Sequence, residues 1–176
     1  HAKLGEDGYW MEPENLGDVI NTPYLEQCPF IHPDGKTLYF ASEGHPGMGS
    51  ADLFYSTRDE NGVWSKPINL GYPINTQNRE ISLSVSSNGT TAYFSSDRDK
   101  TLGDLDIYSF ELPPAVQAEQ VTWVNAIVTD AKTKQPLKAS VQLMNIATGE
   151  IVASSNSDPK TGEFLIVLPS GNDYGL

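Results

Sequence analysis

Two stretches of the sequence align with each other without a gap at an offset of 54 residues. Gly8, Trp10 and Pro13 return as Gly62, Trp64 and Pro67. Asn15-Leu16-Gly17 returns as Asn69-Leu70-Gly71, and Ile20-Asn21-Thr22 as Ile74-Asn75-Thr76. Further on, Glu26 returns as Glu80, Gly35 as Gly89, Tyr39-Phe40 as Tyr93-Phe94, Ser42 as Ser96, Gly49 as Gly103 and Asp52 as Asp106. A repeat of this length, filled with short strand-like runs, predicts a β-propeller blade or a related array. One such unit cannot bury its apolar face alone, so it requires neighbours.

The rest of the composition agrees with strands and turns. Hydrophobic residues make up 38% and charged residues only 19%, and no stretch carries a helical period. The formal net charge of −12 would repel phosphate backbones and anionic membrane surfaces, which argues against nucleic-acid and lipid partners. Acidity of this kind keeps a protein in solution, or else offers a face to cations or to a basic partner. Cys28 is the single cysteine, so it has no internal disulfide or zinc partner, and its strand-like setting predicts a small buried thiol. No apolar run approaches the ~18 residues of a membrane span. The sequence opens on His1 without a Met or a recognisable signal peptide, so it reads as a piece of a longer chain.

Within the first unit four strands are expected: Glu26 to His32, Lys36 to Ser42, Ala51 to Thr57 and Val63 to Leu70. Pro33-Asp34-Gly35 makes the first hairpin turn, a Gly-rich loop covers 43–50, and Pro67 marks an outer edge strand. The second unit repeats the plan with Ile81 to Ser86, the turn Asn88-Gly89, Thr90 to Ser96, and Leu105 to Leu112. There the pattern stops: Pro113-Pro114 and a polar linker (115–120) stand where the fourth strand belongs. Residues 8–17 present the mirror case, an outer strand without the rest of its blade. The fold expected for 1–114 is therefore the C-terminal blades of a partial β-propeller.

From Val121 the pattern changes. Val124 to Thr129, Ala139 to Asn145, Ile151 to Asn156 and Glu163 to Leu168 read as strands, separated by turns such as Thr148-Gly149 and Asp158 to Gly162. Such spacing predicts a small β-sandwich over 121–176 that lacks its last strand. Phe164 to Leu168, apolar throughout, reads as a strand covered on both faces.

Pro33-Asp34-Gly35-Lys36-Thr37-Leu38-Tyr39-Phe40-Ala41-Ser42 followed by Gly49-Ser50-Ala51-Asp52-Leu53-Phe54 resembles the WD-like propeller repeat of the TolB family. The second copy keeps Tyr93-Phe94-Ser95-Ser96-Asp97-Arg98 and Asp104-Leu105-Asp106-Ile107-Tyr108. Residues 121–176 resemble the carboxypeptidase-regulatory-like domain, a transthyretin-type sandwich, through Val128 to Thr133, Pro136-Leu137, Val141 to Leu143, Thr161 to Phe164 and Leu168 to Gly171. Ala126 and Lys134 stand where that domain has glycines. Propeller followed by such a sandwich is similar to OmpA-family envelope proteins of Bacteroidota, among them a type IX secretion component. That resemblance implies a periplasmic, non-catalytic scaffold that binds envelope or secretion proteins, needs no cofactor, and reaches peptidoglycan through a domain outside this sequence.

Candidate chemistry is sparse. Asp52 and Asp106 hold equivalent places and read as architectural acceptors of backbone N–H groups, since architectural residues repeat and unique sites do not; the other option is a ring of carboxylates for a cation. Trp10 and Trp64 are likewise repeat positions, expected in the packing between blades. Asp97, Asp99, Asp104 and Asp106 resemble a calcium loop, but Leu102 replaces the required glycine and no Glu closes it, so no metal is assigned. Arg98 is expected to pair with carboxylates at the surface, and His32 to satisfy local hydrogen bonds. Loops 43–50, 71–80 and 97–104 share one face of a propeller, which makes His45, Met48, Tyr72, Asn78, Arg79 and Arg98 the candidate partner-binding residues. No Gly-x-Ser-x-Gly elbow is present. The expectation is a protein-binding scaffold, with a glycan-binding module or a propeller hydrolase as the alternative, and ring completion by assembly of copies as a third option.

Overall fold

A computed structural model describes residue 2, residues 9–99 and residues 102–176. It is all-β. Among the described residues the single helical element is a short 3₁₀ turn, Pro114–Val116. The chain divides into two compact units: one runs up to Ser86 and includes Thr90–Gln117, and the other comprises Ser87–Gly89 with Ala118–Leu176.

The first unit holds two antiparallel sheets, neither of them closed. β1 (Glu26–Ile31), β2 (Thr37–Ser42), β3 (Asp52–Thr57) and β4 (Ile68–Asn69) form the first, in that order. β5 (Glu80–Val85), β6 (Thr91–Ser96) and β7 (Asp106–Glu111) form the second. Both bounds of β5, β6 and β7 fall 54 residues after those of β1, β2 and β3, so the sequence offset is also a structural one.

Even the irregularities repeat. The β1–β2 ladder shifts register between Gln27 and Phe30, and the β5–β6 ladder between Ile81 and Ser84. At each shift a non-glycine residue adopts the left-handed region, Cys28 with φ 51 and Ser82 with φ 57. These are matching bulges, each inserting a residue that bends the strand. Cys28 is consequently half-buried rather than sealed in a core, and its Sγ accepts a hydrogen bond from Ser82 Oγ at 3.3 Å. Gly35 (φ 70) and Gly89 (φ 73) occupy the hairpin turns, a conformation that L side chains rarely adopt.

The two faces of the first sheet are covered differently. Leu38, Phe40 and Phe54 form a cluster with Ile20, and Leu16 and Trp64 pack against it. The leading segment therefore lies over this face. On the other face Tyr39, Ala41 and Leu53 are completely buried. β5 crosses β1, β2 and β3 there, bringing the buried Leu83 and Val85. Main-chain bonds join the sheets at one end: Ala51 bridges Arg79 in parallel, Ser50 N–H donates to Asn78 O (3.2 Å), and Glu80 N–H donates to Ala51 O (2.9 Å). Gly49 is required at this seam, since a Cβ would stand 2.0 Å from Asn78 O.

Several expectations need correction. The fourth strand is not Val63 to Leu70: only Ile68–Asn69 pairs as a strand, with an isolated Arg58–Trp64 bridge before it. Between them Pro67 has no N–H to give, and Ser65 spends its hydroxyl on Thr57 N–H (3.0 Å). Trp10, expected in packing between blades, is 71% exposed, whereas its copy Trp64 packs on the core; Gly8 lies outside the described residues.

The second unit contains β8 (Val121–Ile127), β9 (Ser140–Asn145), β10 (Ile151–Asn156), β11 (Glu163–Pro169) and β12 (Tyr174–Gly175). β11 pairs with β8 in one sheet, and β10, β9 and β12 form another. Its core is Leu143, Phe164, Ile166 and Leu168, with Val124, Ala126, Val128, Val141, Ala153 and Tyr174 packed around them. β11 alternates, burying Phe164, Ile166 and Leu168 while Leu165 and Val167 are exposed, so it is covered on one face and not on two. A short strand not expected from the sequence, β12, pairs Tyr174 with Asn145. The strand expected to begin at Val124 starts at Val121, because Val121 and Thr122 pair with Pro169 and Leu168.

Candidate functional site

The polar residues that recur at the 54-residue offset are absorbed by the backbone. Glu26 accepts from Thr22 N–H (2.8 Å), Thr22 Oγ1 (2.7 Å) and Ser42 Oγ (2.8 Å). Its copy Glu80, fully buried, accepts from Thr76 N–H (2.9 Å), Thr76 Oγ1 (2.7 Å) and Ser96 Oγ (2.9 Å). Burial opposes ionisation of Glu26, but the hydrogen bonds from Thr22 and Ser42 and the nearby His45 together outweigh it and hold the carboxyl below its ordinary value. Asn75 is buried and pairs with both main-chain groups of one residue: its Oδ1 accepts from Leu53 N–H (2.8 Å) and its Nδ2 donates to Leu53 O (2.9 Å).

The repeated aspartates act in the same way. Asp52 Oδ2 accepts from Met48 N–H (2.6 Å) and Gly49 N–H (3.1 Å), which pins the Gly-rich loop. Asp106 Oδ2 accepts from Leu102 N–H (2.6 Å). Among the described residues no three His, Cys, Asp or Glu side chains converge as a metal site would require.

Of the six candidate partner-binding residues, four line one open groove of about 410 Å³: Met48, Tyr72, Asn78 and Arg98, together with Thr76, Gln77 and Asp99. They come from the three loops whose shared face the sequence predicted, although Lys100 and Thr101 in the last loop lie outside the described residues. Tyr72 projects with 78% of its surface exposed and Met48 is exposed beside it.

The other two candidates are elsewhere. His45 is half-buried, donating from Nε2 to Ile20 O (2.8 Å) with its ring against Phe40 and Phe54. The Arg79 main chain joins the seam and its N–H donates to Asp97 Oδ1 (2.9 Å). Arg98 borders the groove but is not the surface ion pair expected. Its guanidinium donates to Ile74 O (2.7 Å), Pro73 O (3.2 Å) and Ser96 Oγ (3.2 Å), lies 3.4 Å from Glu80 Oε1, and stacks over Phe94 and Tyr108 at 4.9 and 5.0 Å. This cation ties the lead-in to β5 onto the second sheet. His32 is buried; of its hydrogen bonds the one accepted from Asp34 N–H (3.2 Å) is local as expected, while its Nε2 donates to Ser86 O (3.2 Å), 54 residues away.

Two apolar surfaces were missed. The first is a groove of about 370 Å³ on the first sheet, lined by Leu16, Pro29, Ile31, Leu38, Arg58 and Trp64. Pro29 and Ile31 are exposed there, while their copies Leu83 and Val85 are buried. The second is the far face of the second sheet. Tyr93 and Ile107, copies of the buried Tyr39 and Leu53, are 50% and 79% exposed. Single positions carry no sign of this; it follows from laying burial on the repeat.

Comparison with known family models, with curated proteins and with solved structures returns no match for this chain.

Proposed function

We propose that the chain is a non-catalytic protein-interaction scaffold of the bacterial periplasm, belonging to a cell-envelope or type IX secretion complex of the OmpA-family kind. The two sheets of the first unit are consecutive blades of a β-propeller, and the second unit is a transthyretin-type sandwich. Peptidoglycan is reached through a domain outside this chain. The observation that carries the proposal is the loop groove. The guanidinium of Arg98 is engaged within the fold, so the groove offers Met48 and Tyr72 flanked by the amides of Gln77 and Asn78. An exposed aromatic and a flexible thioether rimmed by amides suit a protein surface.

The test is a photo-crosslinking amino acid at Tyr72 in intact cells. Adducts with envelope proteins in the periplasmic fraction are expected; adducts confined to cytosolic proteins would overturn the assignment. A second reading, a glycan-binding module, draws on the same Tyr72, since an aromatic face beside amides also suits a sugar ring. Titration with soluble peptidoglycan fragments separates the two, because only the glycan reading expects tyrosine fluorescence to respond and Tyr72→Ala to abolish the response.

A further inference from the structure

Each of the three loops that meet at the groove holds one large apolar side chain out in solvent. Met48 stands on loop 43–50, Tyr72 on loop 71–80, and Leu102, 99% exposed, on loop 97–104. Met48 and Tyr72 line the groove, and Leu102 belongs to the loop that gives the groove Arg98 and Asp99. Large apolar side chains gathered in this way mark a surface that meets something other than water.

The same loops are anionic. They carry five carboxylates, Glu43, Glu80, Asp97, Asp99 and Asp104, against three cations, Arg79, Arg98 and Lys100. Lys100 lies outside the described residues. Arg98 and the buried Glu80 neutralise each other at 3.4 Å, and the guanidinium donates to Pro73 O, Ile74 O and Ser96 Oγ. Asp97 accepts from Arg79 N–H, and Thr76 gives its hydroxyl to Glu80. What the groove presents outward is therefore the exposed carboxylate of Asp99 together with the apolar surfaces of Tyr72 and Met48. Lysine and arginine fit both halves of that description. Their methylene stems pack along apolar surface while the charged head stays outside, and a cation is also drawn to the face of an aromatic ring. An acidic segment would be repelled.

Resting on the groove as a protein-binding surface, we infer that it takes an extended segment of a partner in which lysine or arginine alternates with apolar residues. A basic head sits on Asp99, and the neighbouring apolar side chains lie on Tyr72 and Met48.

The test uses the full 176-residue chain and two capped, dye-labelled heptapeptides, Lys-Leu-Pro-Lys-Leu-Pro-Lys and its counterpart with Glu for every Lys. Fluorescence anisotropy reads affinity, and the Met48 methyl and Tyr72 ring signals in NMR read the place of binding. The lysine peptide is expected to bind about 10-fold tighter than the glutamate peptide and to move both signals. Asp99→Lys is expected to weaken it about 3- to 10-fold. Glu60→Lys makes the same change of net charge in the exposed turn after β3, at the opposite end of that strand from loop 43–50, and is expected to leave affinity within about 2-fold. Absence of binding by the lysine peptide, or binding that leaves Met48 and Tyr72 unmoved, would overturn the inference. So would equal or tighter binding of the glutamate peptide, or equal effects of Asp99→Lys and Glu60→Lys. Envelope adducts from Tyr72 together with indifference to peptide charge would sink this inference and leave the scaffold reading standing. A lysine preference together with cytosolic adducts would do the reverse.

Discussion

Tyr39 and Tyr93 hold the same position in consecutive repeats, yet Tyr39 is completely buried at 0% exposure and Tyr93 is 50% exposed. Both sit in the second strand of a three-stranded core, and both point to the same side of it. What differs is the neighbour. β5 lies over the first sheet, and within the first unit no described strand lies over the corresponding face of the second. Burial in this chain is a property of stacking, so the same substitution at two equivalent positions should have unequal effects.

Leu53→Ala is expected to cost about 2–5 kcal/mol, the range for deleting a fully buried aliphatic side chain. Ile107→Ala, at the equivalent exposed position, is expected to fall within about 0.5 kcal/mol of the native chain. Urea unfolding of the two variants checks this. Equal losses would mean that the second sheet is covered in solution.

Asn75→Ala removes the partner of Leu53 N–H and one of the two donors to Leu53 O, which keeps Leu70 N–H, and is expected to cost about 1–3 kcal/mol, since one buried donor is left unpaired. Asn21→Ala, at the equivalent place in the leading segment, loses an exposed bond to Asn15 and is expected to cost under about 1 kcal/mol. Thermal unfolding ranks the pair.

The carboxyl of Glu26 has a lowered pKa in the folded chain, so it binds its proton less readily there than in the unfolded chain. Its contribution to stability is present in full above the ordinary value of 4.5 and is lost as pH falls through the lower folded value. Native chain and Glu26→Gln are therefore expected to differ in urea midpoint near neutral pH and to converge in strong acid. A gap that widens on acidification would contradict the assignment.

Glu80 receives the same contacts as Glu26 but is completely buried, with Arg98 beside it. Glu80→Ala is expected to cost about 3–5 kcal/mol, because it strands a partly buried guanidinium as well as the Thr76 and Ser96 donors. Glu80→Gln keeps an acceptor oxygen and is expected to cost less. Chemical denaturation of the two variants, with Arg98→Met as a third, shows whether the cation or the hydroxyl network carries the difference.

Strand positions in the first unit were legible because the repeat made two independent copies vote on them: Tyr39-Phe40 and Tyr93-Phe94 fix one register, and Asp52 and Asp106 another. The turn glycines were legible because φ above zero restricts the choice of residue. The convergence of Met48, Tyr72, Asn78 and Arg98 followed from strand connectivity alone. What the sequence hid depended on what covers a surface. Trp10 and Trp64 are the same residue in the same motif, and only one has a core to pack against. Phe164 to Leu168 is apolar on both sides, although only Phe164, Ile166 and Leu168 meet the other sheet of their unit. Cys28 gave no sign of its left-handed backbone, since bulges follow from ladder register rather than from residue type. His45 looked like a free loop side chain, and its bond to Ile20 joins positions too distant in sequence for any local motif to record.

The seam at Ala51 and Arg79 also bears on how this unit would respond to force. Because peptide groups as well as packed side chains fasten one sheet to the next, a pull tending to slide the sheets apart would load several hydrogen bonds at once instead of peeling them singly. The two sheets would then give way together in a single rupture, behaving as one mechanical body despite having two sets of strands.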